Sequence, residues 1–235
     1  MQTLWWIIGI FVGLFLFYSV VPNLLTRVFH LSVMTRLGDK RLVALTFDDG
    51  PDPAYTPKLL DALSHHQIKA TFFVLAEKAV RNPDIIQRMI RDGHEIQIHG
   101  YSHLLVPFLF PGAAIKQVRF SAEELKKRFG LHASYYRPTW GLLNLPSFLF
   151  VLTRSQYRLV IWSIMVGDWR NVAASELLER IRVRLHPGAI LVLHDSDVTF
   201  GAQEGSPNQV IQLIPDLARL VRTEGYQFST LEGRL

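Results

Sequence analysis

The chain opens on one long apolar stretch and then settles into short apolar runs separated by amphipathic segments. From Leu4 to Val21, 18 residues in all, no position is charged and nothing marks a polar face. As a helix rising about 1.5 Å per residue, this run would span about 27 Å, close to the hydrocarbon thickness of a bilayer. Trp5, Trp6 and Tyr18 stand near its ends, where amphipathic rings favour the membrane interface. A cleavable leader would carry a basic n-region and a small-x-small site, and this run has neither. The pattern predicts a transmembrane anchor over residues 1–26.

Beyond residue 41 the apolar runs shorten. ALTF (44–47), ATFFVL (70–75), EIQIH (95–99), YRLVIW (157–162) and AILVLH (189–194) read as strands, rich in β-branched and aromatic residues. YYR (135–137) is a shorter candidate. Between them, Thr56-Pro57 opens a helix with Leu59, Leu60 and Leu63 on one face. Ile115, Val118, Ala122, Leu125 and Phe129 recur at three- and four-residue spacing until Gly130 ends the helix. A third helix is expected from a Ser175 cap to about Leu185, ahead of Pro187-Gly188. Such alternation predicts a largely parallel α/β domain over 41–235, with ligands at the carboxyl ends of its strands.

Composition narrows the classes. The 235 residues suit one large domain, and the absence of cysteine excludes disulfides, a thiol nucleophile and cysteine-ligated metals. The net charge is +5, and Arg27, Arg36, Lys40 and Arg41 against Asp39 supply three of those charges just after the apolar run. Residues 27–40 therefore read as a basic juxtamembrane linker, and the body lacks the basic face of a nucleic-acid binder. Positive charge after the span favours a cytoplasmic domain, although a signal-anchor can still carry the domain outside. The folded domain is expected on the extracellular side of the cell membrane, with the cytoplasmic face left open.

The polar residues fall at strand ends. Asp48-Asp49 follows the first strand, and His99 ends the third, with His103 just after it. Arg137 ends YYR, Asp168-Trp169 follows WSIMVG, and His194-Asp195 ends AILVL. Two adjacent carboxylates can divide labour, one binding a metal while the other acts as base. Two histidines with three residues between them can chelate one ion, and an aspartate completes three ligands with a position left for water.

Taken in order, Thr46-Phe47-Asp48-Asp49-Gly50-Pro51, His99-Gly100-Tyr101-Ser102-His103, Arg137-Pro138-Thr139-Trp140-Gly141, Asp168-Trp169 and Leu193-His194-Asp195 resemble the polysaccharide deacetylase family. This is the NodB homology domain, carbohydrate esterase family 4, and the five motifs cover essentially everything beyond the anchor. The resemblance implies a distorted (β/α) barrel that hydrolyses the N-acetyl group of an amino sugar. It implies that Asp49, His99 and His103 hold a divalent metal, zinc by family habit, and that Asp48 is the general base toward the attacking water. Arg137 would hold Asp48 in place, and the Trp140 N–H would help stabilise the oxyanion. His194 would protonate the departing amine, oriented by Asp168, and Trp169 would wall the pocket for the acetyl methyl.

Four positions depart from the family pattern. Gly100 stands for a Ser or Thr whose hydroxyl braces the metal loop, Met165 for an aspartate, and Thr139-Trp140 for Pro-Tyr. None removes a ligand, the base or the acid. His30, His65, His66, His132 and His186 read as surface or helix-end residues, and His94 as a partner for local backbone. LLVPFLFPG (104–112) and LLNLPSFLFVL (142–152) flank the expected mouth, either packed beneath neighbouring helices or as an apolar rim facing a bilayer. The leading expectation is a membrane-anchored N-deacetylase of an envelope glycan, peptidoglycan or poly-N-acetylglucosamine. A deacylase of a polyprenyl-linked amino sugar at the cytoplasmic face is the alternative, and a non-catalytic glycan-binding scaffold is the third.

Overall fold

Among residues 1–233, the part of the chain that the computed structural model describes, nine strands alternate with helices. Arg234 and Leu235, the last positions of the expected domain, lie outside the described residues. Helices α1 (Gln2–Phe15) and α2 (Val21–Arg27), joined by a π-helical turn (Leu16–Val20), lead into β1 (Val33–Met34), β2 (Leu42–Asp48) and α3 (Thr56–His65). Then come β3 (Thr71–Leu75), α4 (Ala76–Arg81), α5 (Pro83–Arg91), β4 (Glu95–Gly100) and α6 (Pro111–Phe129). The remainder is β5 (Tyr135–Tyr136), α7 (Leu145–Leu152), β6 (Arg158–Val160), β7 (Ile164–Met165), α8 (Ala174–Arg182), β8 (Ile190–His194), α9 (Ser206–Thr223) and β9 (Gln227–Ser229).

All of these strands pair in parallel, in the order β1-β6-β5-β4-β3-β2-β8-β7, with β9 also on β2. Residues 158–165 draw the sheet round, because β6 pairs with β5 while β7 pairs with β8. The result is the expected distorted (β/α) barrel, closed by one strand that is interrupted at 161–163. Strands covered on both faces need consecutive apolar residues, not alternating ones. Accordingly Val43, Ala44, Leu45 and Phe47 on β2, and Phe72, Phe73 and Val74 on β3, are all 1% exposed or less.

Most expected elements form where local signals are strong. α3 starts at Thr56 and buries Leu59, Leu60 and Leu63, and α6 ends at Gly130 in the left-handed conformation. The third expected helix is displaced. Ser175 lies inside α8, whose N-terminal Ala174 amide is met by Gln209 Oε1 of α9 at 3.2 Å. A tertiary side chain there does the work expected of a local cap, and the helix stops at Arg182, short of Leu185.

The apolar N-terminal helix extends past the uncharged run: Gln2–Arg27 is 26 residues, long and apolar enough to cross a membrane. None of α1 is buried, whereas Ser19, Pro22 and Thr26 are. Ser19 Oγ donates to the Pro107 carbonyl at 2.8 Å, and Tyr18 donates to that of Leu109 at 2.6 Å. Asn23 brackets Leu143, donating to its carbonyl at 2.7 Å and accepting from its amide at 2.9 Å. The 27–40 segment, expected as a linker, carries β1 on the edge of β6 and an antiparallel bridge from Arg36 to Ala189. The apolar pair Val33-Met34 finds an unpaired strand edge, and the segment is built into the sheet.

Candidate active site

The carboxyl ends of the strands surround one cavity of about 440 Å³. Seven of the nine residues singled out from the sequence line it: Asp48, Asp49, His99, His103, Trp140, Trp169 and His194. The other two, Arg137 and Asp168, are buried directly behind it and bond to Asp48 and His194.

Asp48 ends β2 in regular strand geometry, and Asp49 leaves it at φ +79°. That turn lets adjacent carboxylates serve different partners. Asp49 Oδ1 lies 3.1 Å from Nε2 of both His99 and His103, and the three ligand atoms lie within 4.8 Å of one another. The His99 Nδ1 lies 2.8 Å from the Arg137 carbonyl, which can only accept, so Nδ1 carries the proton and Nε2 the lone pair. The buried Asp49 Oδ1 receives no hydrogen bond among the described residues, while Oδ2 accepts from Thr199 Oγ1 at 2.9 Å. The His99 Nε2 lone pair and the His103 Nε2 converge on one carboxylate oxygen that has no donor, an arrangement that fits a cation. Two imidazoles and one carboxylate suit a divalent transition ion such as zinc.

The loop from His99 to His103 is braced from α6. Gln117 Oε1 accepts from the amides of Tyr101 at 2.9 Å and Ser102 at 3.2 Å. The resemblance implies a loop without a brace at position 100, and the Gln117 carboxamide supplies one from α6. Gly100 has φ +152°, and a Cβ there would come within 3.1 Å of the same Gln117 oxygen.

Arg137 Nη1 donates to Asp48 Oδ1 and to Thr46 Oγ1, both at 2.7 Å, with its guanidinium 4.0 Å from the Phe73 ring centre. The sheet register places His194 of β8 directly beside Asp48 of β2. Asp168 Oδ2 accepts from the His194 amide at 2.7 Å, and both of its oxygens lie 3.2 Å from His194 Nδ1. Burial would lower the His194 pKa, but the Asp168 carboxylate and its hydrogen bond, with the fields of Asp49 and Asp48, raise it to about 10. Behind this pair, burial pushes the Asp195 carboxyl up to about 7, against a hydrogen bond from Thr56 Oγ1 at 2.5 Å. Gly50 is required for room, since a Cβ there would stand 2.2 Å from Asp195 Oδ2.

Trp140 adopts φ +53°, a conformation that costs a non-glycine residue on the order of 1–3 kcal/mol. Thr139 Oγ1 donates to the Leu104 carbonyl beside it at 2.5 Å, and the Trp140 ring packs edge-on against His103 at 4.1 Å. The Trp140 N–H makes no hydrogen bond among the described residues, which leaves it available to a substrate oxygen. Trp169 stands edge-on to His194 at 5.7 Å.

Sequence reading missed Arg27, Trp162, Thr199 and Phe200, which also line the cavity, as does Met165. Trp162 sits at the end of a predicted strand, a position that could have marked it. A Cβ on Gly141 would come 2.7 Å from the Trp162 ring, which explains the glycine that closes the Arg137 motif. Of the histidines set aside, none lines the cavity, and His94 Nδ1 accepts from the Ala70 amide at 3.2 Å.

The profile of the Polysaccharide deacetylase family matches residues 36–160. A peptidoglycan-N-acetylglucosamine deacetylase of Bacillus cereus is 35% identical over 193 residues, covering 82% of this chain and 68% of that protein. The peptidoglycan-N-acetylmuramic acid deacetylase PdaC of Bacillus subtilis is 28% identical over 195 residues, 82% of this chain but 38% of its own length. The chain spans the same 38% of PgdA, a peptidoglycan-N-acetylglucosamine deacetylase of Listeria monocytogenes. Among solved structures, the Bc1960 peptidoglycan N-acetylglucosamine deacetylase superposes with a TM-score of 0.78 at 30% identity, over 88% of this chain and 94% of that one. Fold, motif order and these matches agree, and the chain belongs to the polysaccharide deacetylase family.

Proposed function

We propose that the protein is a metal-dependent hydrolase that removes the N-acetyl group from an amino sugar of a cell-envelope glycan, of peptidoglycan or poly-N-acetylglucosamine type. The convergence of Asp48, His194 and the Asp49–His99–His103 cluster on one cavity carries this reading. Relatives named for peptidoglycan deacetylation support the sugar class.

Asp49, His99 and His103 would hold the divalent cation, which when bound supplies Lewis-acid polarisation of the acetyl carbonyl and of the attacking water. Asp48, fixed by Arg137 through Oδ1, takes the proton of the water with its other oxygen. The unpartnered Trp140 N–H is the donor that meets the carbonyl oxygen as it gains charge. An amine leaves poorly without a proton, and His194, kept cationic by Asp168, donates one from Nε2. Acetate and a free amine result. Trp169, beside His194, walls the acetyl methyl.

The apolar helix Gln2–Arg27 would hold this domain at a membrane. Two forms of the sugar meet a cavity held there: finished polymer and a polyprenyl-linked precursor. The test is acetate release by the zinc-loaded full chain from N-acetylchitotetraose and from peptidoglycan. Activity is expected to vanish with chelator, to return with zinc, and to be absent in Asp48→Asn. No acetate from either of these or from a prenyl-diphosphate-linked N-acetylglucosamine would sink the proposal.

A further inference from the structure

One wall of the cavity comes from outside the barrel. Arg27, the last residue of α2, lines the same cavity as Asp48 and His194. Its guanidinium lies 5.8 Å from the centre of the Trp162 ring, and the buried Arg137 lies 5.9 Å from that ring. Trp162 thus has two guanidiniums within 6 Å, and they are differently used. Arg137 is spent on Asp48, whereas Arg27 is exposed and makes no ion pair among the described residues. An arginine in the last turn of a helix complements the helix dipole wherever it points. That effect does not require it to line a cavity or to lie against a tryptophan held close over Gly141.

The depth of Arg27 relative to a membrane follows from how the helix is fixed. Phe15 stacks on Phe108 at 5.7 Å between ring centres, and Tyr18, Ser19 and Asn23 bond to the 106–109 loop and to Leu143. Phe108 is 66% exposed and Phe110 85%, continuous with the bare apolar surface of α1. The apolar rim and the spanning helix therefore share one level. Arg27 lies six residues past Val21, the end of the uncharged run, which is about 9 Å at about 1.5 Å per residue. That is the zone just outside the hydrocarbon, where lipid phosphates and the first sugar attached to them reside.

We propose that Arg27 and Trp162 form a subsite for the phosphate of a lipid-linked N-acetylated amino sugar, so that the enzyme takes its substrate from the membrane surface. Phosphate favours arginine because the planar guanidinium offers paired N–H donors. The inference rests on the deacetylase reading above and names the form of its substrate.

The test compares three substrates with the zinc-loaded full chain in vesicles: prenyl-diphosphate-linked N-acetylglucosamine, the nucleotide-diphosphate-linked sugar, and neutral N-acetylchitotetraose. For the wild type, kcat/KM is expected to be highest on the lipid-linked sugar. In Arg27→Gln the ratio of kcat/KM on the lipid-linked to the neutral sugar should fall about ten-fold or more, mainly through KM, the loss of one charge-assisted contact. Arg27→Lys should keep part of that ratio. Lys40→Gln, which removes a like charge outside the cavity, should keep all of it. Binding to vesicles carrying the prenyl-diphosphate sugar, read by tryptophan fluorescence in the Asp48→Asn background, should weaken in parallel. An equal fall on lipid-linked and neutral substrates would make Arg27 structural and overturn the inference. Equal turnover of nucleotide-linked and lipid-linked sugars would overturn the lipid assignment. Hydrolysis of N-acetylchitotetraose with no preference for the lipid would defeat this inference alone, and no hydrolysis of any substrate would defeat the deacetylase reading with it.

Discussion

Arg137 reaches Asp48 across 2.7 Å with both side chains almost wholly removed from water, 0% and 3% exposed. A buried carboxylate and a buried guanidinium stand only because each compensates the other, and the pair contributes little net stability over an apolar replacement. What it secures is position: Nη1 is held by Thr46 as well, so the Asp48 carboxylate cannot swing.

Removing one partner alone should be costly. Arg137→Met strands the Asp48 carboxylate and is expected to destabilise the fold by about 3–5 kcal/mol. Adding Asp48→Asn to it should restore part of that loss, because no buried charge is then left over. Denaturant unfolding of the two single variants and the double variant measures the coupling; strictly additive losses would mean that the two residues do not act as a pair.

Gln117 is not one of the proposed metal ligands, yet it holds the loop from His99 to His103 through two main-chain amides. Gln117→Ala should therefore weaken metal retention by about 10–100-fold, the usual effect of losing a group that orients ligands. Gln117→Glu, which keeps the accepting oxygen, should lose less. Competition with a fluorescent chelator reads both variants. Wild-type affinity in Gln117→Ala would show that the loop holds itself.

His194 can give up a proton only while it is cationic, so activity should fall as pH rises through its pKa. Asp168 is the largest of the influences that lift that pKa. Asp168→Asn removes it and lets burial act in the opposite direction. The basic limb of the kcat/KM profile should then move to lower pH by about 1–3 units, the size of a neighbouring opposite charge. A variant that is merely slower, with its basic limb unmoved, would leave Asp168 a structural role only.

These residues were legible in the sequence to different degrees, for physical reasons. Asp48, Asp49, His99, His103 and His194 follow apolar runs closely, so a parallel sheet delivers them to one end whatever its curvature. The barrel's closure was less legible, because YRLVIW reads as one strand while the chain uses 158–160 and 164–165 against different partners. Gln117 was invisible: it stands on a helix face whose periodicity signals packing, and only the tertiary fold brings it to Tyr101 and Ser102. Arg27 read as a juxtamembrane charge, since nothing local says that a long apolar helix will fold its last turn over the cavity.

The apolar helix is fixed to the domain through Asn23 of α2. Leu143 is 1% exposed, and both its amide and its carbonyl are met by the single side chain of Asn23. Asn23→Leu leaves two buried main-chain groups without partners, each worth about 1–3 kcal/mol when unsatisfied. Thermal unfolding of the full chain in detergent should drop accordingly. Substitutions on the bare part of α1, such as Ile10→Ala, should leave the transition where it was, because no residue of α1 is buried against the domain. A helix that were only a tether would make the two substitutions equivalent. Equal transitions would therefore separate the helix from the fold, and with it remove the reason for Arg27 to hold a fixed place at the cavity.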